Sequence, residues 1–230
     1  MTYKVFLSGF EDKHVAQYYL DLLKELGGTI YDQKLQLAVQ SADDAWADDF
    51  LKKNGVSSQD RLVAVIPGAG ASWGQQAVYR RWSIDKYVQL VDKIIEKHKV
   101  PIILMGDKNE TGLCERFGQG VKNGSSIMDV CGQTTLGQMA ALLSRCQVVV
   151  LNDGGPLHIA VASGVKTVSI FGPVDEQVYG PYPAQGHKVV TRDIPCRPCY
   201  RRFRRAQCEH ISCLRNIEVD DVLERVEELL

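Results

Sequence analysis

From Arg61 onward, short and nearly continuous apolar runs alternate with longer segments whose apolar residues recur every three or four positions. Residues 62–66, 100–105, 127–130, 147–151 and 167–171 read as strands covered on both faces, because polar positions rarely interrupt them. Between them, Ile84, Tyr87, Val88, Val91, Ile94 and Ile95 mark an amphipathic helix that Ser83 caps. A weaker helix is expected at about 110–117, and another carries Leu136, Met139, Ala140, Leu142 and Leu143, capped by Thr134 or Thr135. The stripe Val222, Leu223, Val226, Leu229, Leu230 predicts a terminal helix packed on the core. Strands and helices in alternation, joined by short connections, predict an α/β fold with a parallel sheet between two helical layers.

The first 60 residues behave differently. Residues 15–26 carry a helical stripe stopped by Gly27-Gly28, while 41–60 is acidic and then loop-like around Asn54-Gly55. Residues 1–60 are therefore expected to be a connector or the remnant of a preceding domain, and 61–230 the folded domain.

The glycine-rich breaks at 67–70, Gly106, Gly132, 152–155 and Gly172-Pro173 all follow strands, on the carboxyl edge where ligands bind in such sheets. The most informative of them is Asn152-Asp153-Gly154-Gly155-Pro156-Leu157-His158. Gly154 and Gly155 let backbone N–H groups approach a ligand, and Pro156 suits the first turn of a helix. The positive helix end then favours a phosphate or pyrophosphate, to which His158 can donate a hydrogen bond. Asp153 repels bare phosphate and fits better against sugar hydroxyls. The same corner also occurs with no ligand, so the turn alone does not name one. A Gly-x-Gly-x-x-Gly fingerprint and a Gly-x4-Gly-Lys-Ser/Thr loop are both missing from the sequence.

With 45% apolar and 24% charged residues and a net charge of −1, the chain has the balance of a globular protein with no global pull toward nucleic acid or membrane. No apolar run reaches the ~18 residues of a membrane span, and Met1-Thr2-Tyr3-Lys4 opens no signal peptide, so a cytoplasmic location is expected.

Of seven cysteines, Cys114, Cys131 and Cys146 lie among apolar residues and read as small buried side chains. Cys196, Cys199, Cys208 and Cys213, with His210 nearby, have a spacing compatible with a structural zinc; a reduced or disulfide-bonded cluster is the alternative. Arg192, Arg197, Arg201, Arg202, Arg204, Arg205 and Arg215 surround them, interleaved with Tyr200 and Phe203. This segment fits a phosphorylated acceptor, an anionic bilayer, a nucleic acid or plain solvent.

Several of these pieces, taken in order, resemble the C-terminal half of glycosyltransferase family 9, the heptosyltransferases. They are Ile66-Pro67-Gly68-Ala69, Arg80-Arg81-Trp82-Ser83, Gly132-Gln133-Thr134-Thr135-Leu136, the 152–158 turn and Phe171-Gly172-Pro173. The resemblance implies a Rossmann-like donor-binding domain of a GT-B enzyme that moves heptose from ADP-heptose to a lipopolysaccharide core acceptor, with inversion and without a required metal. It implies that Asp153, Gly154, Gly155 and His158 meet the donor's pyrophosphate and sugar, that Thr134 and Thr135 lie near adenosine, and that Ala71 and Ser72 line the phosphate side. Arg80 falls where the family often has a lysine that stabilises the departing diphosphate. Gly154 departs from the family's usual Thr or Ser. The family's general base belongs to the N-terminal domain, so a fragment, a truncated product or one half of a split enzyme with a separate N-terminal chain are the alternatives. Peripheral contact with the inner membrane follows from the acceptor, and no nucleic-acid partner is expected. A nucleotide-sugar epimerase of similar architecture, or a nucleic-acid module using the arginine segment, are the competing readings.

Overall fold

The computed structural model describes residues 7, 9–70 and 72–230. Two helices come first, α1 (Val15–Glu25) and α2 (Ser41–Lys53). The alternating part follows: β1 (Val63–Ile66), α3 (Ile84–His98), β2 (Ile102–Leu104), α4 (Thr111–Gly120), β3 (Ile127–Asp129) and α5 (Leu136–Leu143). It continues through β4 (Val148–Asn152), α6 (Gly155–Ala162), β5 (Lys166–Ile170), α7 (Glu176–Tyr179) and β6 (Lys188–Val190). A two-stranded hairpin, β7 (Tyr200–Arg201) and β8 (Arg204–Arg205), precedes α8 (Ser212–Arg215) and α9 (Val219–Glu227).

Strands β1 to β6 form one parallel sheet in the order β3-β2-β1-β4-β5-β6. Because side chains alternate across a strand, each strand feeds two cores. Val63, Val65, Ile102, Leu104, Val148 and Val150 face α3, α4 and α9. Ala64, Ile66, Ile103, Met105, Val149 and Leu151 face α2, α5 and α6. Burial on both faces is what the unbroken apolar runs required.

Several elements depart from the sequence expectation. Residues 41–53, expected within a connector, form α2, whose Ala47 and Leu51 are buried against α5. Acidic residues hid this helix; Asp44 and Asp48 in fact pair with Arg145 beyond the end of α5. The edge strand β6, the hairpin β7–β8 and the short helices α7 and α8 are further additions; of β6 only Val190 is buried, so no continuous apolar run marks it. Thr135, rather than Thr134, caps α5 in a reciprocal box with Gln138. Ser83 occupies the cap position of α3 but makes no side-chain capping bond. Among the described residues, no helix is long and apolar enough to cross a membrane.

Candidate functional site

The strand order reverses between β1 and β4, so the loops leaving these adjacent strands diverge and leave a crevice at their carboxyl ends. Asn152, 1% exposed, knots that point together. Its amide donates to the carbonyls of Pro67 and Gly68 at 2.8 and 2.9 Å, and its Oδ1 accepts the Trp82 N–H at 2.9 Å. Glu110, 3% exposed, braces the β1 loop from the other side. Its Oε1 accepts from the N–H groups of Ala69 and Gly70 and from Arg81, and its Oε2 accepts from the Asp107 N–H, all within 3.2 Å. Gly68 leaves room for this brace: a Cβ there would lie 2.1 Å from the Glu110 carboxylate and force it to move.

Above this brace lies a buried ion pair. Arg80 is 7% exposed and Asp153 2% exposed. Arg80 Nε donates to Asp153 Oδ2 at 2.8 Å and Nη1 donates to Ser72 Oγ at 3.0 Å. Its guanidinium also lies 4.8 Å from the centre of the Trp73 ring. Burial pushes the Asp153 carboxyl above its usual range, and Arg80 pulls against that push.

Immediately after Asp153 the chain enters α6. Among the described residues, the backbone N–H groups of Gly154 and Gly155 make no hydrogen bond, and Pro156 has none to offer. Gly154 is tightly packed; a Cβ there would sit 2.5 Å from the Ala69 carbonyl oxygen. His158, in the first turn, is half-buried and makes no side-chain hydrogen bond among the described residues. Burial, then the fields of His14 and Arg80, hold it below its ordinary pKa of 6.5, so it is neutral at pH 7. Two free amides, a hydroxyl, a neutral imidazole and a fixed guanidinium suit an anion that gains charge during a reaction. Beside them a cavity of about 190 Å³ is lined by Gly70, Asp107, Thr134, Thr135, Met139 and Pro156. It is apolar with a few polar edges, as a nucleoside requires.

The structure thus brings Ser72, Arg80, Asp153, Gly154, Gly155 and His158 to one crevice, with Thr134 and Thr135 in the adjoining cavity. Ala71 lies outside the described residues. Asp153, expected to meet sugar hydroxyls, is buried and holds Arg80 through Oδ2. Arg81 is likewise paired, with Glu110. Cys196, Cys199, Cys208, Cys213 and His210 line one small pocket, and all four thiols are free. Yet among the described residues no three His, Cys, Asp or Glu side chains are grouped so as to hold a metal ion. Sequence reasoning gave no role to Glu110, Asn152 or Trp73. Glu110 had a local signal, the Asp107-x-x-Glu110 capping box, and Asn152 opens the 152–158 turn.

A sequence model of glycosyltransferase family 9 (heptosyltransferase) matches residues 6–210. A lipooligosaccharide heptosyltransferase 2 of Campylobacter jejuni is 28% identical over 181 residues, covering 78% of this chain and 54% of the relative. Among solved structures, a glycosyl transferase family 9 protein from Veillonella parvula superposes with a TM-score of 0.75 at 21% identity, over 95% of this chain and 60% of that one. The Escherichia coli ADP-heptose lps heptosyltransferase II gives a TM-score of 0.65 at 20% identity, over 84% and 53%. The chain therefore spans about half the length of the curated relatives it matches.

Proposed function

The chain belongs to glycosyltransferase family 9, and from that premise we propose that it is the donor-binding half of a heptosyltransferase of lipopolysaccharide assembly. Its donor is a nucleoside diphosphate sugar, ADP-heptose, and its acceptor a lipopolysaccharide core saccharide. The observation that carries this reading is the buried Arg80–Asp153 pair beside the free amides of Gly154 and Gly155.

In this reading the adenosine occupies the cavity at Thr134 and Thr135, and the diphosphate crosses to the start of α6. As the glycosidic bond breaks, negative charge grows on the departing diphosphate. Arg80, aimed by Asp153 and held by Ser72, meets that charge together with the two amides and His158. These donors are already in place, so little reorganisation is needed and the proposed reaction proceeds without a metal. Transfer is inverting, and the base that deprotonates the acceptor hydroxyl comes from an N-terminal half, either on another chain or in a longer protein. The site works at the cytoplasmic face of the inner membrane, where such an acceptor is presented.

Calorimetry with ADP, UDP and GDP tests the reading. ADP binds tightest, and Arg80→Ala and His158→Ala each weaken it by about tenfold or more. Equal binding of the three nucleotides, or ADP binding that ignores both substitutions, overturns it.

A further inference from the structure

The hairpin β7–β8 holds four arginines in five positions, Arg201, Arg202, Arg204 and Arg205. Two other arginines of this segment are neutralised: Arg192 pairs with Asp221 and Arg197 with Glu176. None of the four hairpin arginines pairs with a carboxylate among the described residues. Their hydrogen bonds go to backbone carbonyls, Arg201 to Pro198 and Arg205 to Ala206. Glu11 and Asp175 border a pocket with Arg201 but form no ion pair with it.

Register makes this arrangement unfavourable by itself. Arg201 lies directly opposite Arg204 across the hairpin, and like charges so placed repel. The connecting residues, Arg202 and Phe203, both adopt positive φ, at 51° and 62°, where Asn-Gly is the ordinary choice. Arg205 stacks on Tyr79 at 3.7 Å, and its Nε is buried with no hydrogen-bond partner. Local stability therefore does not explain the sequence of the hairpin.

Its position does. A cavity of about 490 Å³ is lined by Ser72, Trp73, Tyr200, Phe203, Arg204 and Arg205. Ser72 and Trp73 also contact Arg80, so this cavity continues directly from the proposed diphosphate site. Trp73 and Tyr200, with ring centres 4.9 Å apart, form an aromatic wall suited to a sugar face.

We infer that the β7–β8 hairpin is a subsite for a phosphorylated saccharide, the acceptor of the transfer, whose phosphoryl group sits between Arg201 and Arg204 and relieves their repulsion. The identification as acceptor rests on the proposed function; the anion site itself does not. The saccharide is favoured over nucleic acid or bilayer because Arg204 and Arg205 open onto the cavity beside the proposed diphosphate site, with Arg201 paired across the hairpin from Arg204, and the net charge is only −1.

The test compares the full chain with Arg201→Ser/Arg204→Ser. Probes are deacylated, phosphorylated lipopolysaccharide core oligosaccharide, its dephosphorylated form, phosphatidylglycerol vesicles, a short single-stranded oligonucleotide and ADP. The phosphorylated oligosaccharide binds, and both dephosphorylation and the double substitution weaken it by about tenfold or more, the weight of a charge-assisted hydrogen bond. ADP affinity stays within about twofold, and the melting temperature of the double variant is unchanged or raised, because a repulsive pair has been removed. A structural role would lower it. Indifference to phosphate or to the substitutions overturns the inference, as does tighter binding of vesicles or oligonucleotide. Failure of ADP to bind counts against the proposed function instead.

Discussion

Arg80 and Asp153 stand 73 positions apart in sequence, yet their side chains meet at 2.8 Å in the crevice between β1 and β4. Asp153 is fixed by the end of β4, and Arg80 by the turn that leads to Trp82 and α3. The pair therefore locks the aim of the guanidinium before any ligand arrives.

Removing one partner strands a buried charge, so Arg80→Ala or Asp153→Ala is expected to cost about 3–5 kcal/mol of stability. Arg80→Met/Asp153→Leu, which removes both charges, should recover most of that loss while leaving ADP binding weakened by about tenfold or more. Chemical denaturation and calorimetry on the three variants check both halves of the statement.

Glu110 gathers four donors at the base of the β1 loop. Glu110→Ala leaves those N–H groups unpaired and is expected to cost about 1–3 kcal/mol, together with a drop in ADP affinity as the loop loosens. Glu110→Gln keeps part of the acceptor set and falls between. Thermal melts with and without ADP separate the two effects.

At position 154 the packing and the family resemblance pull in opposite directions. Thr or Ser there would restore a hydroxyl, but its Cβ would press on the Ala69 carbonyl at 2.5 Å. Gly154→Ser is expected to destabilise by about 1–3 kcal/mol and to weaken ADP binding, because the β1 loop has to retreat. A gain in affinity from Gly154→Ser would show that the loop yields easily.

Burial holds His14, His158 and His187 below the ordinary value of 6.5. The unfolded chain then takes up protons first as pH falls through 6.5, so stability is full above that value and declines below it. Each histidine contributes a slope of at most about 1.4 kcal/mol per pH unit. Denaturation midpoints between pH 7.5 and 5.5 should fall, and His158→Gln should flatten the decline.

Helix α2 buries Ala47 and Leu51 in the core beneath α5. Leu51→Ala is expected to cost about 2–5 kcal/mol. A chain begun at residue 61 should unfold far more easily than one begun at 38, which keeps α2. Comparing their denaturation curves tests whether 41–53 belongs to the same folding unit as the sheet.

Much of the sheet was legible because burial on both faces leaves a one-dimensional trace, as in Val148, Val149, Val150 and Leu151. The crevice was legible because backbone that must approach a ligand needs glycine and proline in fixed order. The supports of the crevice were not. Glu110 and Asn152 act through long-range hydrogen bonds, 41 and 85 positions in span, that leave no local periodicity. Helix α2 escaped notice because its acidic face is satisfied by Arg145, nearly a hundred residues away.

Trp73 gives the crevice an optical voice. Its indole lies under the Arg80 guanidinium and against the Tyr200 ring, whereas Trp46 packs on Phe50 and Trp82 is sealed beside Tyr87. With only three such fluorophores in the chain, light emitted on nucleotide or saccharide loading changes chiefly through this one. Occupancy can thus be followed without labels, and Trp73→Phe silences the signal while the other two continue to report folding.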